Sequence, residues 1–487
     1  MKKFIKSMSI VLAAVMLLSF ASCDSADNND ETTAKNETKE STPTEPASSE
    51  ATPSEAPEST NESKPGSKPS TTPDSTPDST PGSTPDSTPD STPDSTPDST
   101  PADVPDPEPV DLFKIYQSNI AYGTGNNYMI LSENGNSAET ATYRAVFEVQ
   151  EAGEFEYSLY FSNNIDSCSN AYKTYPDMTT YEYEILYAAF RTSTDFKGTK
   201  NVSEATEITF NGSKTKVVSP KEMFWSDPVT FEVGAKEYLI FEWTVKYVQI
   251  PGTIVANTYY AYKTNLYGDD LPDVITTTKS AIPLPDLIGC TRNNDVRLAF
   301  IGDSITMGTG SGAYMNMFWV KQITDQLGDG YSVWNLGLDS ARANDVVVGT
   351  SFKEKIKHVD TLVICMGIND IASGVKGKGN ANHLDVTADI LDIASIAEKN
   401  GATKIIIFSI PPFNLTGTMK TEWESANILL KTFAKEKGYD FFDFAAVLGN
   451  PNDPSKCVYG DHPNFLGCSA VANEFMEANI LEPKFKN

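Results

Sequence analysis

From Val296 onward, apolar runs of strand length alternate with segments of helical period, and that alternation leaves few folds open. The runs are Val296–Ile301, Ser332–Leu336, Thr361–Met366, Lys404–Ile410 and Asp440–Phe444. Between them Val386, Ile390, Ile393 and Ala397 recur at helical spacing and stop at Gly401. Trp423, Ala426, Leu430 and Phe433 do the same and stop at Gly438. Glycine just past the last apolar position ends a helix well, because it enters the left-handed region without penalty. Strand and helix in alternation predict a parallel sheet covered on both faces, an α/β/α domain over residues 291–487.

Residues 111–290 have a different period. Tyr143, Ala145, Phe147 and Val149 alternate with Arg144, Glu148 and Gln150, and after Gly153 the alternation resumes at Phe155, Tyr157, Leu159 and Phe161. This reads as a hairpin with one buried face. Thr230–Val233 and Tyr238–Val245, separated by Gly234, read as a second pair. With no helical period in the region, an all-β sandwich is expected. Exposed tyrosines can stack on sugars, and aromatic residues in a sandwich also form core; both roles stay open here.

Residues 24–109 hold 17 of the 30 prolines, 20 acidic and 4 basic side chains, and no aromatic, Leu or Ile. Such a stretch cannot bury enough apolar surface to offset chain entropy, so residues 23–110 are expected to be a disordered linker. From Ser70 it becomes a Ser-Thr-Pro-Asp repeat, which favours an extended tether. The whole chain carries a net charge of −28. An acidic body repels phosphate backbones, so a nucleic-acid partner is not expected, and no basic patch is available for anionic lipid.

The N-terminus contains Lys2, Lys3 and Lys6, then an apolar run from Met8 to Ala21, too short to span a bilayer. That is the pattern of a signal peptide, residues 1–22. The end of the run, Leu18-Ser-Phe-Ala-Ser-Cys23, resembles a bacterial lipoprotein lipobox, although Phe20 stands where Leu is preferred. The resemblance implies lipidation of Cys23, contact with the membrane through that anchor alone, and an extracellular, surface-held protein.

In an open parallel sheet, ligands bind beyond the carboxyl ends of the strands. After the first strand comes Gly302-Asp-Ser304, after the second Asn335-Leu-Gly337, after the third Gly367-Ile-Asn369-Asp370, and after the fifth Gly460-Asp461-His462-Pro-Asn464. Ser304 offers a hydroxyl and its own N–H, Gly337 an N–H, Asn369 an amide and His462 an imidazole. A nucleophile, a base and three oxyanion donors are the equipment of acyl transfer.

These four blocks, in order, resemble the SGNH (GDSL) hydrolase superfamily over about 190 residues. Thr209-Phe-Asn-Gly212 and Trp225-Ser-Asp-Pro-Val229 resemble a sandwich domain found ahead of some bacterial members. The resemblance implies a flavodoxin-like fold and hydrolysis of carboxylic esters, many of them acetyl groups on plant polysaccharide. An acylated polysaccharide or oligosaccharide is thus the expected partner. In this scheme His462 removes the Ser304 proton, and Ser304, Gly337 and Asn369 hold the oxyanion. A neutral imidazole is needed, so activity should fall as pH drops through about 6.5.

The family usually places an aspartate three residues before its histidine; here that position is Tyr459, and Asp461 adjoins His462. Either Asp461 orients the ring through a sharp turn, or a backbone carbonyl does so in a Ser–His dyad. Asp303 supports its turn, and His358 and His383 lack a motif. Trp319 and Trp334 read as core. No cofactor or metal is implied, since neither zinc spacing nor a phosphate loop occurs. Cys365 reads as a buried thiol, and a Cys457–Cys468 bridge is expected to brace the loop of His462. A lipase-type esterase and a non-catalytic polysaccharide-binding protein are the competing functions.

Overall fold

A computed structural model describes residues 110–486 apart from 121–125, 128, 133–134, 136, 168–173, 179, 256–258, 312–316, 373–380 and 459–461. The signal, the linker, Cys23 and Asp461 lie outside the described residues.

The N-terminal part is a sandwich. Its first sheet orders strands Gln117–Ser118, Leu287–Cys290, Gly153–Ser162 and Met223–Trp225, with Val229–Val233 also on Gly153–Ser162. The second orders Tyr260–Thr264, Glu139–Phe147, Tyr238–Tyr247, Tyr183–Ser193 and Thr206–Glu207, with Lys216–Val218 also on Tyr183–Ser193. Aromatic rings from the two sheets interdigitate between them, as in Tyr157–Phe190 at 5.4 Å and Phe161–Trp243 at 5.6 Å between centroids. Most of its aromatic residues are thus core.

Neither expected hairpin forms. Glu139–Phe147 pairs with Tyr238–Tyr247 and Tyr260–Thr264, whereas Gly153–Ser162 belongs to the opposite sheet. Val229–Val233 and Tyr238–Tyr247 are likewise divided between sheets. Alternation reports that one face is buried, and an arch between facing sheets satisfies it as well as a hairpin does.

The C-terminal part has five parallel strands: β1 (Val296–Gly302), β2 (Tyr331–Gly337), β3 (Thr361–Cys365), β4 (Lys404–Phe408) and β5 (Asp440–Phe442), in the order β2-β1-β3-β4-β5. Both helices expected from periodicity form, as His383–Lys399 and Gly417–Lys437, and Gly438 caps the second at φ 74°. The strand order reverses beside β1, which places Ser304 at the switch point where such sheets bind ligands.

β2 is an edge strand, and the sandwich closes it. Gln150 donates to the Tyr331 carbonyl at 3.3 Å and accepts from the Val333 N–H at 3.1 Å. Ser332 Oγ donates to the Ser118 carbonyl at 2.9 Å. A side-chain amide thus occupies the place of a neighbouring strand and blunts an edge open to pairing.

Candidate active site

Ser304 is the first residue of the short helix Ser304–Met307, which starts directly after β1. The Asp303 carboxylate caps that helix by accepting the Ile305 N–H at 2.9 Å, the supporting role its position suggested. An N–H in the first helical turn has no acceptor within the helix, so the Ser304 N–H is available to a ligand. Gly302 permits the tight reversal: a Cβ there would lie 2.6 Å from the Cys365 carbonyl oxygen and 2.5 Å from Thr306 Cβ. Beneath the helix, the Trp319 indole is fully buried and donates to the Ile305 carbonyl at 3.0 Å.

His462 Nε2 lies 2.9 Å from Ser304 Oγ. His462 sits in the two-residue strand His462–Pro463, antiparallel to Cys457–Val458. On its C-terminal side, Asn464 caps the helix Phe465–Glu477 by accepting the Leu466 and Gly467 N–H groups at 2.9 and 3.0 Å. The Asn464 N–H donates to the Lys456 carbonyl at 2.8 Å, which closes the loop behind the imidazole. Gly310, at φ 90°, lets the chain after the serine helix pass under the histidine, since a Cβ there would be 2.7 Å from His462 Cβ.

Gly337, expected to offer its N–H to the oxyanion, ends β2 beside the serine helix. That N–H donates to Asn335 Oδ1 at 2.8 Å, and Asn335 Nδ2 donates to the Thr306 carbonyl at 3.0 Å. The residue is packed on the serine helix, where a Cβ would come within 2.5 Å of the Thr306 carbonyl carbon and closer still to the Met307 nitrogen. Its lack of a side chain allows that approach, while its donor is engaged within the turn. Asn335 is thus a site-building residue whose amide the sequence displays without showing its partners.

Asn369 is the second residue of the helix Ile368–Ala372, half-buried, and donates through Nδ2 to the Ala341 carbonyl at 3.1 Å. Beside it the buried Asp370 carboxylate accepts the Ala343 N–H at 3.1 Å and the Asn344 N–H at 3.4 Å. Burial pushes Asp370 up to about 7, against the opposing effect of the Ala343 N–H. Asn369 and Asp370 together clamp the segment 341–344 that follows β2, just after Ser340, which takes φ 61°.

The expected disulfide does not form. Cys457 and Cys468 are separate buried thiols; Cys468 Sγ donates to the Pro463 carbonyl at 3.6 Å, and burial pushes that thiol up to about 12. Strand pairing and the Asn464 cap brace the loop instead. Cys365 is a buried thiol in β3. His358 stacks on Phe113 at 3.9 Å between ring centroids, and His383 begins a helix with Nδ1 2.5 Å from Glu422 Oε2. Both stand apart from the Ser304–His462 pair in every contact they make. Among the described residues no group of three or more His, Cys, Asp or Glu side chains is placed to hold a metal ion.

The family model for the GDSL-like lipase/acylhydrolase family matches residues 300–469. Among solved structures, a member of the lipolytic G-D-S-L family from Veillonella parvula is 19% identical, with a TM-score of 0.32, over 38% of this chain and 97% of that one. An acetylxylan esterase from Geobacillus stearothermophilus is 23% identical, with a TM-score of 0.31, over 39% of this chain and 96% of that one. A GDSL-like lipase from Bacteroides thetaiotaomicron is 21% identical, with a TM-score of 0.30, over 37% and 86%. No curated protein matches the chain.

Proposed function

Because residues 300–469 form a hydrolase domain of the GDSL-like lipase/acylhydrolase (SGNH) family, we propose that this protein is a serine esterase that removes short acyl groups, acetyl above all, from carbohydrate. The observation that carries the chemistry is the 2.9 Å contact between Ser304 Oγ and His462 Nε2. The imidazole takes the hydroxyl proton as Oγ attacks the ester carbonyl carbon. It then gives that proton to the departing sugar oxygen, and water, activated by the same nitrogen, releases the acid from the acyl-enzyme.

The tetrahedral oxyanion is held by the Ser304 N–H and by Asn369. The Asn369 amide nitrogen carries two protons, and one donated to Ala341 leaves the second for substrate. A short acyl group is supported by how little of Ser304 is exposed, 7%. The signal pattern ending at Cys23 and the Ser-Thr-Pro-Asp repeat support a lipid-anchored enzyme working outside the cell on acylated polysaccharide.

Hydrolysis of p-nitrophenyl acetate, butyrate and octanoate by the parent and by Ser304→Ala tests the proposal. Acetate turnover that disappears in the variant, with little on octanoate, supports it. Rates that rise with chain length would replace it by a lipase, and inertness toward all three esters would make the protein a binding module.

A further inference from the structure

A buried side chain of the sandwich reaches the carboxyl end of β2. Asn126 is 4% exposed, and its Nδ2 lies 3.4 Å from the Gly337 carbonyl oxygen. Its Oδ1 accepts from Lys355 Nζ at 3.0 Å. Lys355 is fully buried at the end of the helix Ser351–Lys355 and also donates to Asp166 Oδ2 at 2.9 Å and Asp286 Oδ1 at 3.3 Å. Asn126, Asp166 and Asp286 come from the sandwich, whereas Lys355 comes from the hydrolase domain.

This cluster decides which way the Asn126 amide faces. An ammonium has donors only, so it takes the amide oxygen and turns the NH2 group toward the Gly337 carbonyl. Burial by itself lowers the Lys355 ammonium, but Asp166 and Asp286 outweigh it and keep the group charged. Gly337 in turn is packed on Thr306 and Met307, and the next residue, Leu338, donates its N–H to the Gly302 carbonyl at 3.0 Å. The segment that follows carries the Ala341 carbonyl to which Asn369 donates. A shift of Gly337 therefore moves the helix of Ser304 and the anchor of Asn369 together.

We infer that Asn126 is a positioning residue for ester hydrolysis, through which the sandwich domain sets the placement of Ser304 and Asn369. The inference rests on the esterase function proposed above. Misplacement of catalytic groups by a fraction of an ångström costs rate more than substrate affinity.

The test uses the full chain with Asn126→Ala and Asn126→Asp, measuring kcat and KM on p-nitrophenyl acetate, the rate of Ser304 labelling by a fluorophosphonate, and Tm. Aspartate keeps the acceptor for Lys355 and loses the donor for Gly337, so it should behave as alanine does. The expected result in either folded variant is a fall in kcat on the order of 10-fold, slower labelling and a KM within about two-fold of the parent. Parental kcat in a folded variant, or a change confined to KM, would overturn the inference, as would unfolding of both variants. A parent that neither turns over esters nor labels at Ser304 would overturn the esterase function itself, and this inference with it.

Discussion

His462 Nε2 meets Ser304 Oγ at 2.9 Å across 158 residues of chain. The serine is fixed by β1 and the Asp303 cap, the histidine by a two-residue strand and the Asn464 cap. Two independently anchored elements thus converge on one hydrogen bond. Removing either side chain, as Ser304→Ala or His462→Ala, should lower kcat on p-nitrophenyl acetate by about 10⁴-fold or more while Tm stays near the parent's. Substantial turnover in Ser304→Ala would place the nucleophile elsewhere.

Asn369→Ala removes the amide that faces the turn after β2. In the proposed mechanism this removes one oxyanion donor, which costs about 10²–10³ in kcat, and the Ala341 carbonyl also loses its donor. Steady-state kinetics should show that fall with KM little changed; a KM effect alone would assign Asn369 to substrate binding.

Gly302→Ala puts a methyl group 2.6 Å from the Cys365 carbonyl oxygen, where β1 and β3 are paired and cannot separate cheaply. Overpacking of this kind destabilises by about 1–3 kcal/mol. Chemical denaturation should register that loss, with activity falling further because the serine helix is displaced. An unchanged midpoint would mean that the strand ends are more pliable than their packing indicates.

The raised Asp370 carboxyl sets a pH dependence of stability. Its native value is about 7, whereas an exposed aspartate titrates near 3.9. Between those values the folded protein holds a proton that the unfolded chain has released, so this contribution to stability falls as pH rises from about 4 to 7 and is level above 7. Asp370→Asn abolishes the titration. The Tm of the variant relative to the parent should therefore improve between pH 5 and pH 8; a difference independent of pH would contradict a raised carboxyl.

The parallel sheet was legible because its strands are largely apolar runs and the two helices with clear periodicity are followed closely by Gly401 and Gly438. Ser304, Asn369 and His462 stood out in the sequence because strand ends are where such sheets place ligands, and the structure brings Ser304 and His462 to 2.9 Å. The sandwich was legible only as a class. Tyr143–Val149 and Phe155–Phe161 show the alternation of buried strands, but the arch between sheets leaves the same pattern as a hairpin. Cys457 and Cys468, close in sequence around His462, suggested a bridge that does not form; both are buried thiols.

By itself, then, the sequence determined the alternation of strand and helix, the order of the four motif blocks and the separation of an acidic, proline-rich segment from the folded chain. Periodicity and turn chemistry are local, and local physics is written in consecutive residues. Tertiary structure alone decided that the Gly337 N–H serves Asn335, that Gln150 closes the edge of β2, and that Asn126 reaches Gly337 under the hold of Lys355. The second and third of these pair a polar side chain with a partner far away in the chain, and no pattern of neighbouring residues names that partner.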